Sequence, residues 1–264
     1  MSDRPSPLVI HLAAGQGTRL RPLTNDRPKP LVEIRGRSLL ERNLETMSDA
    51  GITDQLVVTG YRAEQIEQLD VETVRNPVYA ETDMVYSLFC ARKRFPDESD
   101  LVISYGDIVY HRKVVDELLA CDAPVCVVVD DRWEELWSSR FEDPLADAET
   151  LRLDDDYRIT EIGQEPTDIE QIEAQYIGLL KIRNDMLSKF SAMYDDLSTP
   201  DAESDLAASV EMTHFLQELI DSGTRVQAVP VNGGWLEVDT LADLELYQDE
   251  LFNDELPAHA RSLN

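Results

Sequence analysis

The chain has 264 residues, of which 42% are hydrophobic, and it contains only 11 glycines and 13 prolines. Such a chain can bury a sizeable core, as one large α/β domain or one domain with a small annex, so a disordered or fibrous protein is excluded. Its net charge of −29, from 53 acidic and 24 basic residues, makes nucleic acids and anionic membranes poor partners.

The predicted elements begin with an apolar run at residues 8–12, which indicates a buried strand. Helical spacing of apolar residues over 38–50 ends at Gly51, a residue suited to the position after a helix. Strand patterns follow at 55–59, 71–75, 101–105 and 124–129, and helix patterns at 62–69, 84–95 and 111–120. This alternation predicts a mostly parallel sheet with helices on both faces and with ligands at the carboxyl ends of the strands.

From residue 130 onwards the pattern changes. Short strands predicted at 150–153, 157–162 and 175–182 are separated by acidic turns and indicate a small antiparallel excursion. Helices are predicted at 183–197 and 204–222, and strands at 225–230 and 235–238 return to the sheet. A last helix at 240–251 has Thr240 as its N-cap and Asp243 as the capping-box partner. We expect one domain over residues 1–254 and a loosely held tail at 255–264.

Two further features bear on location. No stretch approaches the apolar length of a membrane span, and the polar residues 1–7 lack the core of a signal peptide. The three cysteines, Cys90, Cys121 and Cys126, are odd in number and lack metal-ligand spacing. They are typical of reduced, mostly buried thiols, so we expect a cytoplasmic protein.

The segment after the first strand is a basic, glycine-containing loop. Between residues 19 and 42 there are seven Lys and Arg against three Asp and Glu, although the whole chain is strongly acidic. Glycines let backbone amides approach an anion closely, so this loop is predicted to bind phosphate. It does not end in the Gly-Lys-Ser/Thr of a Walker A loop, and Leu20 occupies the place of the third glycine of a dinucleotide fingerprint. The alternative is a solvated basic loop, but such a loop would not require Gly, Thr, Arg, Pro and Lys at fixed spacings.

Residues 15–24 read GQGTRLRPLT and are followed by Pro28-Lys29-Pro30. This segment resembles the signature G-x-G-T-R-L-x-P-L-T with P-K-P of the sugar-phosphate and phosphocholine nucleotidylyltransferases. The resemblance implies a Rossmann-like three-layer α/β/α sandwich, the nucleotide-diphospho-sugar transferase fold, in a single nucleotidyltransferase domain. It also implies that Arg19 holds the leaving phosphates and that Lys29, which we expect to be an exposed loop lysine, bridges the reacting phosphates.

Two aspartates are candidate metal ligands. Asp107 follows Gly106 at the end of a strand, and Asp239 follows Trp235-Leu236-Glu237-Val238. Carboxylate oxygens suit Mg²⁺, although each aspartate alone is equally typical of a turn or a helix N-cap. Together they resemble the two metal-binding aspartates of the same family, in its G-D and W-x-E-x-D motifs.

The predicted nucleotide-binding residues lie in the loop and at the ends of the neighbouring strands. They are Leu12, Ala13, Ala14, Gly15, Gly17, Thr18, Arg19, Lys29, Gly60, Tyr61, Ser87 and Gly106.

The acceptor substrate is indicated by weaker signals. Sugar-phosphate members carry Glu-Lys-Pro where this chain has Gln164-Glu165-Pro166, and a missing cation counts against a sugar 1-phosphate. Residues 82–88 (TDMVYSL) resemble the N-x-Y-S-L segment of phosphocholine and 2-aminoethylphosphonate cytidylyltransferases, with Asp83-Met84 as a departure. A small cationic group could be bound by the aromatic and acidic side chains of Tyr86, Glu161, Tyr176, Trp235 and Glu237. For the aromatic residues the alternative is core packing.

Three functional hypotheses remain at this stage. The leading one is an Mg²⁺-dependent enzyme that transfers CMP from CTP to a small phosphorylated alcohol or phosphonate and releases pyrophosphate. The second is a sugar-1-phosphate uridylyltransferase or thymidylyltransferase. The third is an inactive regulatory or binding subunit that keeps the fold. The sequence leaves the oligomeric state open.

The charge distribution also indicates a habitat. Only five of the basic residues are lysines, against 19 arginines. This acidic, lysine-poor, haloarchaeal-type composition resembles that of proteins from organisms with a salt-filled cytoplasm. Molar salt reduces the screening length to about 3 Å and so suppresses self-repulsion. We therefore expect a halophilic protein, with an ordinary acidic protein as the alternative.

Overall fold

The computed structural model describes residues 5–198 and 209–250, without the side chains of 248–250. Its strands are β1 (Leu8–Ala13), β2 (Glu33–Ile34), β3 (Arg37–Ser38), β4 (Gln55–Thr59), β5 (Glu72–Arg75), β6 (Leu101–Tyr105), β7 (Ile108–Tyr110), β8 (Val125–Asp130), β9 (Leu151–Leu153), β10 (Ile159–Ile162), β11 (Gln175–Ile182), β12 (Val226–Val231) and β13 (Trp235–Glu237). Its helices are α1 (Leu39–Asp49), α2 (Ala63–Ile66), α3 (Met84–Cys90), α4 (Arg112–Ala120), α5 (Trp133–Arg140), α6 (Leu187–Leu197), α7 (Met212–Asp221) and α8 (Leu241–Glu250).

The predicted mostly parallel sheet is confirmed. Seven strands lie in the order β12-β8-β11-β6-β1-β4-β5. All neighbours pair in parallel except β11, which is antiparallel to both β6 and β8. The carboxyl ends of β1, β4 and β6 therefore lie side by side at one edge of the sheet, where the loop after β1, Gly60 and Gly106 follow them.

The core forms a layer on each face of this sheet. Alternate residues of the buried strands belong to opposite clusters, as with Val9 on one face and Ile10 on the other. Helices α1, α4, α5 and α8 contribute to the first cluster, and α3, α6 and α7 to the second. This arrangement is the predicted three-layer α/β/α sandwich. No helix in the described ranges is both long and apolar enough to span a bilayer.

Local sequence signals explain where helices begin. Ser38 caps α1 through a capping box, accepting a hydrogen bond from the Glu41 amide while the Glu41 carboxylate accepts one from the Ser38 amide. The predicted box at α8 is also confirmed, because Thr240 and Asp243 exchange the equivalent bonds. Residues 204–208 of the predicted helix at 204–222, Leu251, and the predicted tail at 255–264 lie outside the described residues.

Several predicted elements were placed wrongly. The strand predicted at 175–182 has the right bounds but belongs to the main sheet, so only β9 and β10 form the antiparallel excursion. The strand β13 does not return to the main sheet and instead pairs with β7, which was not predicted. Helix α5 and the β2–β3 hairpin were also missed. A strand buried on both faces carries no local sign of its partners, because pairing depends on residues far away in sequence.

Candidate active site

Backbone contacts hold the loop after β1 at the edge of the sheet. The Tyr61 amide donates to the Ala14 carbonyl at 2.9 Å, and the Gly106 amide donates to the Leu12 carbonyl at 2.9 Å. A Cβ at Gly60 would lie 2.5 Å from the Ala14 oxygen, and one at Gly106 would lie 2.6 Å from the Leu12 oxygen. These two glycines are therefore required for close packing of neighbouring strand ends.

The loop also wraps around Lys29. Gly17 has a φ of 68°, in the left-handed region, and a Cβ there would lie 2.7 Å from the Cβ of Lys29. Thr24 donates a hydrogen bond to the Gly17 carbonyl at 2.7 Å, while Thr18 begins a short 3₁₀ turn that carries Arg19. The signature glycine thus gives the lysine stem a passage to the centre of the site.

Lys29 lies between the two predicted aspartates. Its ammonium donates to Asp107 at 2.8 Å and also to Asp239. Arg19 donates to the other oxygen of Asp239 at 3.1 Å. The expectation of an exposed lysine was wrong, because only 11% of the Lys29 side chain is accessible. Burial by itself lowers the pKa of Lys29, but Asp107 and Asp239 raise it above its ordinary value, so the group stays charged.

A second buried cation, Arg140, supports the carboxylates from behind. It has no exposed side-chain surface, and it donates to Glu237 at 2.6 Å and to Asp243 at 3.0 Å. Its other nitrogen lies 3.6 Å from Asp239. Sequence reasoning missed Arg140 because helix α5, which carries it, was not predicted. The available signal was the apolar spacing of Trp133, Leu136 and Trp137 on that helix.

The position of Asp239 distinguishes between a metal ligand and a helix N-cap, the two roles that its sequence allowed. The Asp239 amide donates to the Asp243 carboxylate at 2.9 Å, so Asp243 satisfies the start of α8 together with Thr240. The Asp239 carboxylate, 6% exposed, instead faces Lys29 and Arg19. Burial raises the pKa of this group, but Lys29 and the two arginines outweigh burial and hold the pKa below its ordinary value. The helix-cap alternative does not describe this side chain.

Three carboxylates form a possible metal site. One oxygen each from Asp107, Glu237 and Asp239 lies within 4.8 Å of the others. The second oxygen of Asp107 is buried and has no hydrogen-bond partner among the described residues. Burial, and then Asp239, raise the pKa of Glu237 to about 7. An all-carboxylate donor set with an unpartnered oxygen fits a hard divalent cation such as Mg²⁺, and it adds Glu237 to the two predicted ligands.

A first cavity, here called the loop cavity, has a volume of about 180 Å³. It is lined by Leu12, Ala14, Gly15, Tyr79, Thr82, Asp83, Met84, Ser87, Tyr105 and Asp107. Buried Asn76, after β5, donates to the hydroxyls of Thr82 at 2.9 Å and Ser87 at 3.0 Å and so fixes one wall. Four predicted nucleotide-binding residues thus line this cavity: Leu12, Ala14, Gly15 and Ser87. Two other predicted residues, Ala13 and Tyr61, do not line it. Ala13 is buried, and the Tyr61 hydroxyl donates to the Asn25 carbonyl.

A second cavity, here called the acidic cavity, has a volume of about 210 Å³. It is lined by Met84, Tyr105, Trp137, Asp147, Glu149, Gln175, Tyr176, Ile177, Gly178, Glu211, Met212, Thr213, Trp235 and Glu237. Burial, followed by the charge of Glu211, raises the pKa of Glu149, whose carboxylate accepts from Thr213 at 3.3 Å. The rings of Tyr105 and Tyr176 meet edge to face with centroids 5.6 Å apart. Met84 and Tyr105 are shared with the loop cavity.

The predicted acceptor residues divide into two groups. Tyr176, Trp235 and Glu237 line the acidic cavity, although the Trp235 ring is 1% exposed and its indole N–H donates to buried Asp130 at 2.9 Å. Tyr86 and Glu161, in contrast, line neither the acidic nor the loop cavity. On α3, Met84 and Ser87 share the cavity-facing side, and Tyr86 projects elsewhere because each residue turns the helix by about 100°. Glu161 lies on β10, which pairs with β9 outside the main sheet.

Comparisons with known proteins identify the relatives of this chain. The model of the MobA-like NTP transferase domain matches residues 9–168. CTP:phosphoglutamine cytidylyltransferase of Campylobacter jejuni is 39% identical over 248 residues, covering 90% of this chain and 98% of that protein. Choline-phosphate cytidylyltransferase of Streptococcus pneumoniae is 40% identical over 89 residues, covering 32% of this chain and 39% of that protein.

Solved structures show the same fold. The inositol-1-phosphate CTP transferase from T. maritima superimposes with a TM-score of 0.71 at 22% identity, covering 92% of this chain and 94% of that chain. At this identity the likeness concerns the fold alone. The match of the family model over more than half of the chain, together with the full-length relative, establishes the family. The chain belongs to the MobA-like NTP transferase family and is a nucleotidyltransferase.

Proposed function

We propose that the protein transfers CMP from CTP to a small phosphorylated acceptor that carries a cationic group, and that it releases pyrophosphate. One observation carries the proposal, namely that the loop cavity and the acidic cavity meet near Lys29. The two cavities share Tyr105 and Met84. Lys29 donates hydrogen bonds to Asp107, which lines the loop cavity, and to Asp239, which lies two residues after Glu237 of the acidic cavity. Two substrates bound on either side would bring their phosphates together at Lys29.

The loop cavity suits the nucleotide. The glycine-containing loop offers backbone amides, and Arg19 and Lys29 offer positive charge for the triphosphate. Ser87 and Asp83 in the wall of the cavity supply a hydroxyl and a carboxylate for a polar base, and Tyr79 supplies an aromatic surface. Two of the similar proteins, the phosphoglutamine and choline-phosphate enzymes, are cytidylyltransferases, which supports CTP as the donor.

The acidic cavity suits the cationic end of the acceptor. Its walls combine carboxylates of Asp147, Glu149 and Glu211 with the aromatic rings of Tyr105 and Tyr176. Carboxylates attract an ammonium group, and ring faces add a cation–π contribution of about 0.5–2 kcal/mol. A sugar hydroxyl would gain neither. The acceptor class that fits is therefore a phosphate or phosphonate with an ammonium group a few bonds away.

The chemistry needs little beyond positioning. An oxygen of the acceptor phosphate forms a bond to the α-phosphorus of CTP while the bond to the β-phosphate oxygen breaks, and the electron pair leaves with pyrophosphate. The attacking oxygen is already an anion at neutral pH, so no general base is required. Arg19 and Lys29 balance the charge that develops on the phosphates. A Mg²⁺ ion held by Asp107, Asp239 and Glu237 would add electrostatic stabilisation of the same charge.

A substrate matrix tests the proposal. Pyrophosphate release is measured with CTP, UTP, ATP and dTTP, each against phosphoglutamine, phosphocholine, 2-aminoethylphosphonate and glucose 1-phosphate. We expect CTP with one of the three ammonium-bearing acceptors to give the highest kcat/KM, and activity to vanish with EDTA and return with Mg²⁺. Asp107→Asn is the matched inactive control. Highest activity with glucose 1-phosphate and UTP or dTTP would contradict the acceptor assignment, and no release with any pair would contradict the enzymatic assignment.

A further inference from the structure

Two of the three cysteines are in direct contact where helix α4 leads into strand β8. Cys121 directly follows α4, and Cys126 is the second residue of β8. Both are free thiols, and their sulfur atoms lie 2.7 Å apart. No other atom fits between two sulfurs at this distance, so a reaction that joins them requires no rearrangement of the surrounding chain.

The two thiols differ in their access to solvent. Cys126 is fully buried, and its side chain belongs to the core on one face of the sheet. Cys121 is half-buried and packs at the edge of the same core. A reagent dissolved in water therefore meets Cys121 first, and Cys126 is placed to react with the group that Cys121 then carries.

The hydrogen bonds give each sulfur a different role. The Cys126 thiol donates to the Cys121 sulfur and lies 3.5 Å from the carbonyls of Cys121 and Ala123. These partners are all acceptors, which favours the protonated form of Cys126. The bond from Cys126 outweighs burial and, with a backbone bond from Ala123 and the charges of Lys181 and Arg225, lowers the pKa of Cys121 to about 6. The same contact raises the pKa of Cys126.

A buried ammonium group lies beside the pair. Lys181 of β11 is buried and is paired with Cys126 across the sheet. Its ammonium donates to the carbonyls of Leu119 and Cys121 at the C-terminal end of α4, and it lies 4.0 Å from Asp100. The carbonyl end of a helix by itself disfavours a thiolate, and Lys181 offsets this effect because it binds those carbonyls. The partly accessible sulfur is thus the one that the surroundings favour as a nucleophile.

Cys90 provides an internal comparison. It lies on α3 and is half-buried, as Cys121 is. Burial raises the pKa of Cys90, which is typical of a thiol that only fills space. Partial burial alone therefore does not activate a thiol in this protein. The difference at Cys121 comes from the contact with Cys126 and from the nearby positive charge.

We propose that Cys121 and Cys126 form a peroxide-sensitive thiol pair, in which Cys121 is oxidised first and Cys126 then closes a disulfide bond with it. The Cys121 thiolate attacks one oxygen of hydrogen peroxide, so an S–O bond forms, the O–O bond breaks and hydroxide leaves. The Cys126 sulfur then bonds to the Cys121 sulfur, the S–O bond breaks, and the Cys126 proton leaves with the hydroxyl group as water. The pair loses two electrons, and the first hydroxide takes a proton from solvent. Neither cysteine lines the loop cavity or the acidic cavity, so this chemistry does not depend on the proposed function.

Alkylation rates distinguish an activated thiol from one that is merely accessible. With iodoacetamide at about pH 6, Cys121 of the full chain should react about tenfold faster than Cys90, because Cys121 is substantially ionised there and Cys90 is not. Cys126→Ala removes the S–H donor, whereas Cys126→Ser keeps an O–H donor in its place. The midpoint of the rate against pH at Cys121 should therefore rise in the alanine variant and move less in the serine variant. Equal rates at Cys121 and Cys90, or a midpoint that Cys126→Ala leaves unchanged, would contradict the activation of Cys121.

Treatment of the reduced full chain with hydrogen peroxide, followed by mass spectrometry of the protein and its peptides, tests the disulfide. The parent and the control Cys90→Ser should each lose two hydrogen atoms and yield a peptide with an internal disulfide between Cys121 and Cys126. Cys126→Ser leaves Cys121 without a partner, so its sulfenic acid should accumulate and be trapped by dimedone. Cys121→Ser should leave Cys126 unoxidised under the same conditions. A parent that forms no such disulfide, or that is oxidised at Cys90 as fast as at Cys121, would overturn the proposal.

Discussion

The loop cavity and the acidic cavity share a wall but are built in different ways. The loop cavity is formed by three short segments that follow β1, β5 and β6, within residues 12–107. The acidic cavity takes residues from seven separate parts of the chain, between Met84 and Glu237. Ends of neighbouring parallel strands are brought together by the sheet itself, whereas the acidic cavity depends on how helices and the antiparallel β11 are placed.

The two cavities also differ in charge. Lys29 donates to Asp107 in the wall of the loop cavity, whereas the acidic cavity has four carboxylates in its wall, one of which, Asp147, lies 3.7 Å from Arg19. A phosphate is attracted to the first and a cation to the second. An acceptor with both groups would therefore be oriented before reaction, with its phosphate towards the nucleotide. The following changes are chosen to affect one cavity and spare the other.

The largest effect is expected for Lys29→Gln, at the junction of the two cavities. Removal of the ammonium group should lower kcat by about 10³-fold or more, because the phosphates lose a preorganised cation. It should also lower the thermal midpoint in EDTA, since Asp107 and Asp239 lose their buried partner. Pyrophosphate release and melting curves are the measurements. Arg21→Gln, an exposed arginine of the same loop, is the control, and a similar loss there would assign the effect to the loop's net charge.

Glu149→Gln should act on the acidic cavity alone. The half-buried carboxylate would no longer attract the cationic group, so KM for the acceptor should rise by about 10- to 100-fold, corresponding to roughly 1.4–2.7 kcal/mol. KM for CTP should stay within about twofold of the parent value. Steady-state kinetics with each substrate varied in turn gives both values. Glu134→Gln, an exposed residue of α5, is the matched control, and an equal rise in both KM values would contradict separate cavities.

A pair of glycine variants separates structure from binding in the loop cavity. A Cβ at Gly60 would lie 2.5 Å from the Ala14 oxygen, so Gly60→Ala should destabilise the protein by about 1–3 kcal/mol. A Cβ at Gly15 would meet no atom within 4 Å, so Gly15→Ala should keep the thermal midpoint while it raises KM for CTP. Denaturant melts and kinetics distinguish the two. Unchanged CTP kinetics in Gly15→Ala would show that the nucleotide does not approach the backbone at Gly15 closely.

The smallest and most general effect concerns salt. The net charge of −29 destabilises the compact state at low ionic strength, where the screening length is about 30 Å at 0.01 M. We expect the thermal midpoint to rise steadily when KCl is increased from about 0.1 M to 3 M, a range that spans weak to strong screening. Greatest stability at the lowest salt would refute the halophilic prediction.

The sequence alone determined the parts that act locally. Most strand and helix positions followed from hydrophobic spacing, and the capping box at Thr240 followed from neighbouring residues. The nucleotidyltransferase function and its fold were readable because residues 15–24 form one contiguous segment that resembles the signature of a known family. Gly17 illustrates this, since its left-handed conformation and its contact with Lys29 are both consequences of nearby sequence.

Only the tertiary structure decided which distant residues meet. Arg140 and Glu149 had no local signature, yet they come from α5 and the segment after it to support the carboxylates and to line the acidic cavity. The burial of Lys29 was likewise invisible, because it results from Asp107 and Asp239, 78 and 210 residues further along the chain. Local patterns report which face of an element is buried. The partners that bury it are set by the order of strands, which depends on the whole chain.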